Sequence, residues 1–142
     1  MKLLAYEVDK RSFLGIFNED ETWVYPISAA GMEYRSMKDL IREAGPSEME
    51  MLDYISKKMP GDVTGAASVE EIKVVSPIAE PDQDIICLGI NYMDHAAESA
   101  RFQKEEFARP EKAIYFSKRV NRTNDPDGII PAHKNLTNQL DY

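Results

Sequence analysis

Apolar and polar positions divide the first 27 residues into three short apolar stretches separated by polar breaks. The stretches cover residues 3–8, 13–17 and 22–25, and their β-branched and aromatic residues predict β-strands. The polar breaks are typical of turns, and Pro26 closes the third strand. The pattern predicts a small antiparallel meander in which Trp23 and Tyr25 serve packing.

Two helix-start signals follow the meander. Ser36 precedes Asp39 by three residues, and Ser47 precedes Glu50 by the same interval. This is the spacing of a capping box, in which a serine hydroxyl and an acidic side chain satisfy free backbone N–H groups. The pattern predicts a first helix that Gly45 ends and a second helix that begins after Ser47.

The second predicted helix carries an apolar face and stops at Pro60-Gly61. Leu52, Ile55 and Met59 are spaced by three and four residues, which places their side chains on one helical face that we expect to pack against the meander. The small, polar, glycine-bearing stretch 61–68 predicts a loop and a domain boundary. The predicted domains are an N-terminal α+β domain at 1–66 and a second domain at 67–142.

The second half of the chain is organised around a continuous apolar run at residues 85–88. Such a run predicts a strand buried on both faces, and a shorter strand at 72–75 precedes it. Gly89 ends the run with a residue that can turn sharply. Cys87 is the only cysteine, which excludes an internal disulfide and indicates a reduced, structural thiol.

Residues 91–98 predict the start of a helix that carries ionisable side chains. Asn91 lies three residues before Asp94, the spacing of an N-cap followed by an acidic third position. His95 and Glu98 follow at helical spacing, so an imidazole and a carboxylate share one face. A base beside the carboxylate that orients it is a frequent catalytic arrangement; the alternative is a solvated surface pair.

The remaining pattern is less regular. Residues 103–112 are charged, which suits either a mobile cover or a plain surface loop. A strand at 113–116 leads to Lys118, residues 125–128 have the proline and glycine of a β-turn, and 129–131 predict a short strand ending. His133 lies in a polar loop and is predicted to be an exposed bystander.

Composition narrows the classes of function. The 142 residues are 43% hydrophobic and 30% charged, as in soluble globular proteins of one or two small domains. The N-terminus lacks the apolar core of a signal peptide, and no apolar run is long enough to span a bilayer. The net charge of −8 argues against nucleic-acid binding. These features predict a cytoplasmic protein without nucleic-acid or membrane partners.

One segment departs from this acidic balance. Residues 101–122 hold seven cations against three carboxylates. The segment is either a solvated face or a local field that attracts a small carboxylate substrate.

Three motifs resemble the fumarylacetoacetate hydrolase family. Residues 89–98 resemble its Gly-x-Asn-Tyr-x-x-His-x-x-Glu segment, residues 114–118 its Phe-x-Lys strand, and residues 139–142 the start of its Asp-Tyr-Glu-x-Glu metal-binding strand. The motifs follow in the family's order, and the resemblance is strong over residues 77–142. It implies an α+β, mainly β fold, in which the meander and two helices precede the first part of the family's β-roll catalytic domain, with a lid at about 92–112.

The resemblance also implies an activity. Family members hydrolyse, decarboxylate or isomerise small dicarbonyl acids with Mg²⁺ or Mn²⁺, and we expect C–C bond hydrolysis of a small anionic β-dicarbonyl acid by a homodimer. His95 is then the general base, Glu98 its orienting carboxylate and Lys118 the group that stabilises developing negative charge. The implied substrate-binding residues are Asn91, Tyr92 and Arg101.

The family's metal-binding glutamates come after the position of Tyr142. We therefore expect no metal ligands within this chain, which is interpreted as the N-terminal portion of a longer enzyme. The chain alone is expected to be inactive and to bind Mg²⁺ or Mn²⁺ weakly or not at all. A non-catalytic fragment that serves as an assembly or partner module is the alternative from a different class.

Overall fold

A computed structural model describes residues 1–89 and 112–139. Within these ranges the fold is mixed α+β and mainly β, as the sequence predicts. The chain divides into two compact units, Met1–Ala79 with Thr123–Tyr142 and Glu80–Arg122. The first unit thus extends past residue 66, where the sequence predicts the domain boundary.

A three-stranded antiparallel meander forms the centre of the first unit, which confirms the prediction. β1 (Leu3–Val8) pairs with β2 (Arg11–Phe17), and β2 pairs with β3 (Trp23–Pro26). The two residues between β1 and β2, Asp9 and Lys10, both have positive φ, 50° and 64°. A left-handed pair of this kind matches the right-handed twist of the flanking strands.

Two short strands complete the sheet at opposite edges. β4 (Ala67–Ser68) pairs with β3, and β5 (Lys73–Val75) pairs with β1, so the strand order is β4-β3-β2-β1-β5. A flat sheet of this order would hold its edge strands roughly 19 Å apart, at about 4.8 Å per neighbour. The connection from β4 to β5 contains the 3-10 helix Val69–Glu71 and is too compact to span that distance. The sheet is therefore curled.

The first helix begins where the sequence predicts it. A short 3-10 helix, Ile27–Ala30, follows β3, and α1 (Met37–Glu43) comes next. The Ser36 hydroxyl accepts a hydrogen bond from the Asp39 N–H at 3.2 Å, which satisfies one of the free donors of the first turn.

The second helix begins earlier than predicted. α2 (Pro46–Ser56) has Gly45 as its N-cap, and the Gly45 N–H donates to Glu48 Oε2 at 2.8 Å. The predicted Ser47-Glu50 cap is wrong because Pro46 already occupies the first helical position, which proline favours. Ser47 is therefore inside the helix.

The main core lies between the sheet and the helices. Its buried members are Ile16, Tyr25, Ile27, Met32, Met37, Leu40, Leu52, Ile55 and Val63. Leu52 and Ile55 pack as predicted, whereas Met59 is 71% exposed. The prediction for Met59 fails because α2 ends at Ser56, and a 3-10 helix, Pro60–Asp62, follows.

A smaller apolar cluster occupies the opposite face of the sheet. It consists of Leu4, Tyr6 and Val24, with Val69, Ile72 and Val74 among the residues packed against it. Gly15 faces this cluster, and a Cβ at that position would lie 2.8 Å from atoms of both Tyr6 and Val24. Only glycine fits here without displacing packed side chains.

The second unit contains a separate antiparallel pair, β6 (Ile85–Gly89) and β7 (Ile114–Lys118). Both strands confirm predictions. The turn at 125–128 is confirmed as well, since the Gly128 N–H donates to the Asp125 carbonyl at 3.0 Å. The strand ending predicted at 129–131 is wrong: these residues are irregular, and Ile129 is 90% exposed.

None of the helices in the described ranges is long and apolar enough to cross a membrane.

Candidate active site

The described part of the candidate site is the β6–β7 ladder. Its register pairs Ile85 with Lys118 at one end and Gly89 with Ile114 at the other. Since successive side chains alternate between faces, Lys118 shares a face with Ile85, Cys87 and Phe116. This face is apolar apart from the ammonium group and the thiol.

The ladder exposes large apolar side chains on both faces. Ile86 is 68% and Tyr115 66% exposed, and Ile85, Leu88, Ile114 and Phe116 are exposed as well. The prediction that residues 85–88 form a strand buried on both faces is wrong for burial, although the strand itself is present. An apolar run indicates that its side chains favour burial, but it does not indicate which other residues would bury them.

Lys118 is an exposed residue at the C-terminal end of β7. Gly89, after which the predicted catalytic segment begins, lies at the opposite end of the ladder. Four strand steps separate these ends, which is about 14 Å.

Most of the predicted site lies outside the described residues. This applies to the helix predicted after residue 90, to nearly all of the predicted lid, and to Asn91, Tyr92, His95, Glu98 and Arg101. Their roles remain predictions.

Gly89 itself has an ordinary strand geometry. It pairs with Ile114, its φ is not positive, and a Cβ there would make contacts of 3.5 Å, a normal van der Waals distance. Gly89 is therefore the last residue of an ordinary strand, and the sharp turn predicted at this position is absent from it.

Residues 1–89 and 112–139 contain no group of three or more histidine, cysteine, aspartate or glutamate side chains that could hold a metal ion. The described residues thus do not supply the ligand set that Mg²⁺ or Mn²⁺ requires. His133 is exposed and lies in irregular chain, as predicted; that it is a bystander stays a prediction.

Four cations lie in β7 and in the residues that flank it. Lys112, Lys118, Arg119 and Arg122 fall within residues 112–122, which contain no carboxylate. Perturbed pKa values, by contrast, occur in the first unit, where hydrogen bonds, ion pairs and burial account for them. They provide no independent evidence for a catalytic group.

The register adds a relation that sequence reasoning missed, namely that Phe116 and Cys87 flank the position of Lys118. Pairing across the connection 90–113 cannot be deduced from the sequence, since a connection of that length does not fix a register. The alternation of residues 114–118 could have placed Phe116 and Lys118 on one face, but not Cys87 with them.

Comparison with curated proteins finds relatives that match either 60% or all of the chain. Oxaloacetate tautomerase YisK of Bacillus subtilis is 37% identical over 87 residues, which are 60% of this chain and 28% of the tautomerase. An uncharacterized protein of Staphylococcus epidermidis is 26% identical over an alignment of 152 residues, covering 100% of this chain and 48% of that protein. An uncharacterized protein of Staphylococcus aureus shows the same identity and coverage over 155 aligned residues.

The chain spans about half the length of the staphylococcal relatives, and its match to the tautomerase spans 28% of that enzyme. No protein-family model matches the sequence.

Proposed function

We propose that this chain belongs to the fumarylacetoacetate hydrolase superfamily and contributes to an enzyme that acts on small dicarbonyl acids. The observation that carries the proposal is the 37% identity to an oxaloacetate tautomerase. The motifs at 89–98 and 114–118 agree with it. Keto–enol tautomerisation of a 2-oxo diacid is the reaction that the named relative favours.

Tautomerisation requires one proton to leave carbon and one to reach oxygen. His95 removes the proton from the carbon beside the carbonyl group, and the carbonyl oxygen takes a proton as the double bond shifts. Glu98 orients the imidazole and stabilises its protonated form. The reaction is balanced without water or an oxidant, because the C–H bond is replaced by an O–H bond.

Lys118 stabilises the negative charge that develops on oxygen during this transfer. A cation beside a developing enolate stabilises its charge electrostatically, and Ile85, Cys87 and Phe116 share the face of the ladder to which Lys118 belongs. The other cations of residues 112–122 add a field that attracts a dianionic substrate.

A divalent metal, when bound, polarises the dicarbonyl oxygens of the substrate. The described residues do not provide its ligands, and no step above depends on it.

Hydrolysis of a C–C bond is the second candidate, favoured by the motif resemblance alone. In that reaction His95 activates water for attack on a carbonyl carbon, the adjacent C–C bond breaks, and the carbon that leaves takes a proton. Decarboxylation differs in releasing CO₂ from the same substrate class. Decarboxylation needs no base: the carboxylate leaves as CO₂, and the enolate that remains takes a proton. Because the three reactions give different products from one substrate, product analysis distinguishes them.

The test compares His95→Ala with His133→Ala in the natural full-length polypeptide supplied with Mg²⁺. Oxaloacetate is the substrate, and enol decay, pyruvate release and oxalate release report tautomerisation, decarboxylation and hydrolysis. Loss of a general base typically lowers kcat by about 10²–10⁴-fold, and we expect this for His95→Ala. The exposed His133 is the matched control and should leave kcat unchanged.

Equal changes in kcat for the two substitutions would show that His95 is not the general base. Complete loss of Mg²⁺ binding in His95→Ala would make it a ligand instead of a base. Absence of all three activities in the wild-type polypeptide would favour the non-catalytic assembly module.

A further inference from the structure

A cluster of polar contacts in the first unit joins two segments that are distant in sequence. The Ser76 N–H donates to Asp125 Oδ1 at 2.9 Å, and the Thr123 N–H donates to the Ala79 carbonyl at 2.8 Å. The Thr123 hydroxyl donates to the Ile78 carbonyl at 2.8 Å. Because that proton is committed, the Ser76 hydroxyl is the donor in its hydrogen bond to the Thr123 hydroxyl.

Asp125 also connects this cluster to the sheet. Its second carboxylate oxygen lies 3.6 Å from Lys73 Nζ, and the same ammonium lies 3.7 Å from Glu7 Oε2 on β1. The Lys73 side chain is 62% exposed, so these ion pairs are weak in water. The stronger contribution comes from the part-buried hydrogen bonds of Ser76 and Thr123.

The cluster lies where the chain leaves the first unit and where it returns. The second unit, Glu80–Arg122, begins directly after Ala79 and ends directly before Thr123. The Ala79–Thr123 hydrogen bond therefore holds both ends of this segment side by side. Two short connecting segments, 80–84 and 119–122, link this hydrogen bond to the ladder. The first pair of the ladder that they reach is Ile85 with Lys118.

An isolated two-stranded antiparallel pair is only marginally stable in water. The strands β6 and β7 are connected at one end by the long segment 90–113, which leaves a large loop-closure entropy to overcome. At the other end, the Ala79–Thr123 hydrogen bond holds the two connecting segments together. The unpaired strands then have fewer conformations available, so their pairing costs less entropy.

We infer that Ser76, Thr123 and Asp125 form a clasp that stabilises the pairing of β6 with β7 from its open end. The clasp is a conformational device that supports the pairing of the strand that ends in Lys118. Thr123 is its central residue, because its amide bonds to Ala79 and its hydroxyl bonds to Ile78, Ala79 and Ser76. The inference concerns strand pairing and holds whichever reaction the protein catalyses.

The experiment is amide hydrogen exchange, resolved by residue, on the full chain with Thr123→Val. Valine keeps the shape of threonine and removes its hydroxyl. We expect exchange at the paired amides of β6 and β7 to accelerate about 2- to 10-fold, the factor that corresponds to loss of an ordinary hydrogen bond. Ile16 and Tyr25, which are fully buried in the main core, are the internal reference and should exchange at the wild-type rate.

Two further variants make the result specific. Thr123→Ser keeps the hydroxyl and should restore slow exchange in the ladder. Thr137→Val makes the same chemical change at a threonine whose hydroxyl, among the described residues, bonds to the nearby Gln139, and it should have no effect. The thiol of Cys87 provides a second readout, since opening of the ladder should raise its rate of reaction with a soluble disulfide reagent.

Wild-type exchange of β6 and β7 in Thr123→Val would overturn the inference. Equal acceleration at Ile16 and Tyr25 would overturn it as well, because the hydroxyl would then support the first unit as a whole. If Thr123→Val does not fold, Ser76→Ala, which removes one hydrogen bond of the clasp, undergoes the same test against the same references.

Discussion

At the residue scale, Glu48 shows how one side chain joins three parts of the first unit. Its Oε1 accepts from the Tyr34 hydroxyl at 2.6 Å, and its Oε2 accepts from the Gly45 N–H at 2.8 Å. The hydrogen bond from Tyr34, followed by that from Gly45, lowers the pKa of Glu48 from its ordinary 4.5. The hydrogen bond to Glu48, with desolvation, raises the pKa of Tyr34 to about 12.

These shifts define a pH window in which the contact stabilises the fold. Because the pKa of Glu48 is lower in the folded state, its contribution is present above pH 4.5 and is lost as the pH falls through the folded value. Because the pKa of Tyr34 is raised, its contribution is present below pH 10 and is lost as the pH rises towards about 12.

We expect Tyr34→Phe to lower the urea midpoint most between pH 5 and 10, and progressively less as the pH falls through the lowered pKa of folded Glu48. Urea unfolding across this range measures the effect. Tyr54→Phe is the matched control, since the Tyr54 ring is exposed and contacts Lys58 through its face. A destabilisation by Tyr34→Phe that is independent of pH would exclude the contact with Glu48 as its cause.

At the element scale, the β1–β2 turn has an unfavourable backbone conformation at both of its residues. Both Asp9 and Lys10 occupy the left-handed region, which costs a residue with a side chain roughly 1–2 kcal/mol relative to the right-handed region. Asparagine followed by glycine is the sequence that this turn favours.

We expect Lys10→Gly to raise the free energy of unfolding by about 1 kcal/mol, because glycine adopts positive φ without a steric penalty. Chemical denaturation measures the change. Arg11→Gly, one residue later in extended β2, is the control and should lower stability by about 0.5–1 kcal/mol. A loss of stability in Lys10→Gly comparable to that of Arg11→Gly would contradict the role of the turn.

The elements also show which features can be predicted from sequence. The strands of the meander, the Ser36 cap and the 125–128 turn depend on neighbouring residues, so local patterns identify them. The start of α2 was missed because two capping patterns overlap and Pro46 decides between them. Burial of β6, its register with β7 and the Thr123 clasp depend on distant residues, and no local pattern carries that information.

For the candidate site, the same distinction applies. The sequence predicted the strand that ends in Lys118, whereas the role of Lys118 itself depends on motif resemblance and stays a prediction. The apolar neighbours of its position, Cys87 and Phe116, required the register. The predicted roles of His95 and Glu98 depend on motif resemblance, and the described residues leave them as predictions.

At the scale of the whole molecule, the two units differ in the apolar surface they bury. The first unit has clusters on both faces of its sheet, whereas the ladder of the second exposes Ile86 and Tyr115 by about two-thirds. Regions with few buried apolar contacts open with lower free energies than a core.

We therefore expect amide exchange to be slow in β1, β2, β3 and α2 and faster in β6 and β7, by hydrogen-exchange mass spectrometry. We also expect concentration-dependent self-association through the exposed ladder, measured by light scattering. Ile86→Thr should weaken this association, and Ile41→Thr, at a similarly exposed position on α1, should not. Equally slow exchange in both units would contradict the expectation.

The curled sheet has a consequence for the order in which the protein folds. β1 pairs with β2 across a two-residue turn. Its other edge pairs with β5, which comes about 70 residues later in the chain and places Val75 opposite Ala5. On a ribosome, that edge stays open until residue 75 has emerged, and an open edge can pair with another nascent chain. Lys73, which arrives opposite Glu7, brings a charge to the strand that finally closes the edge.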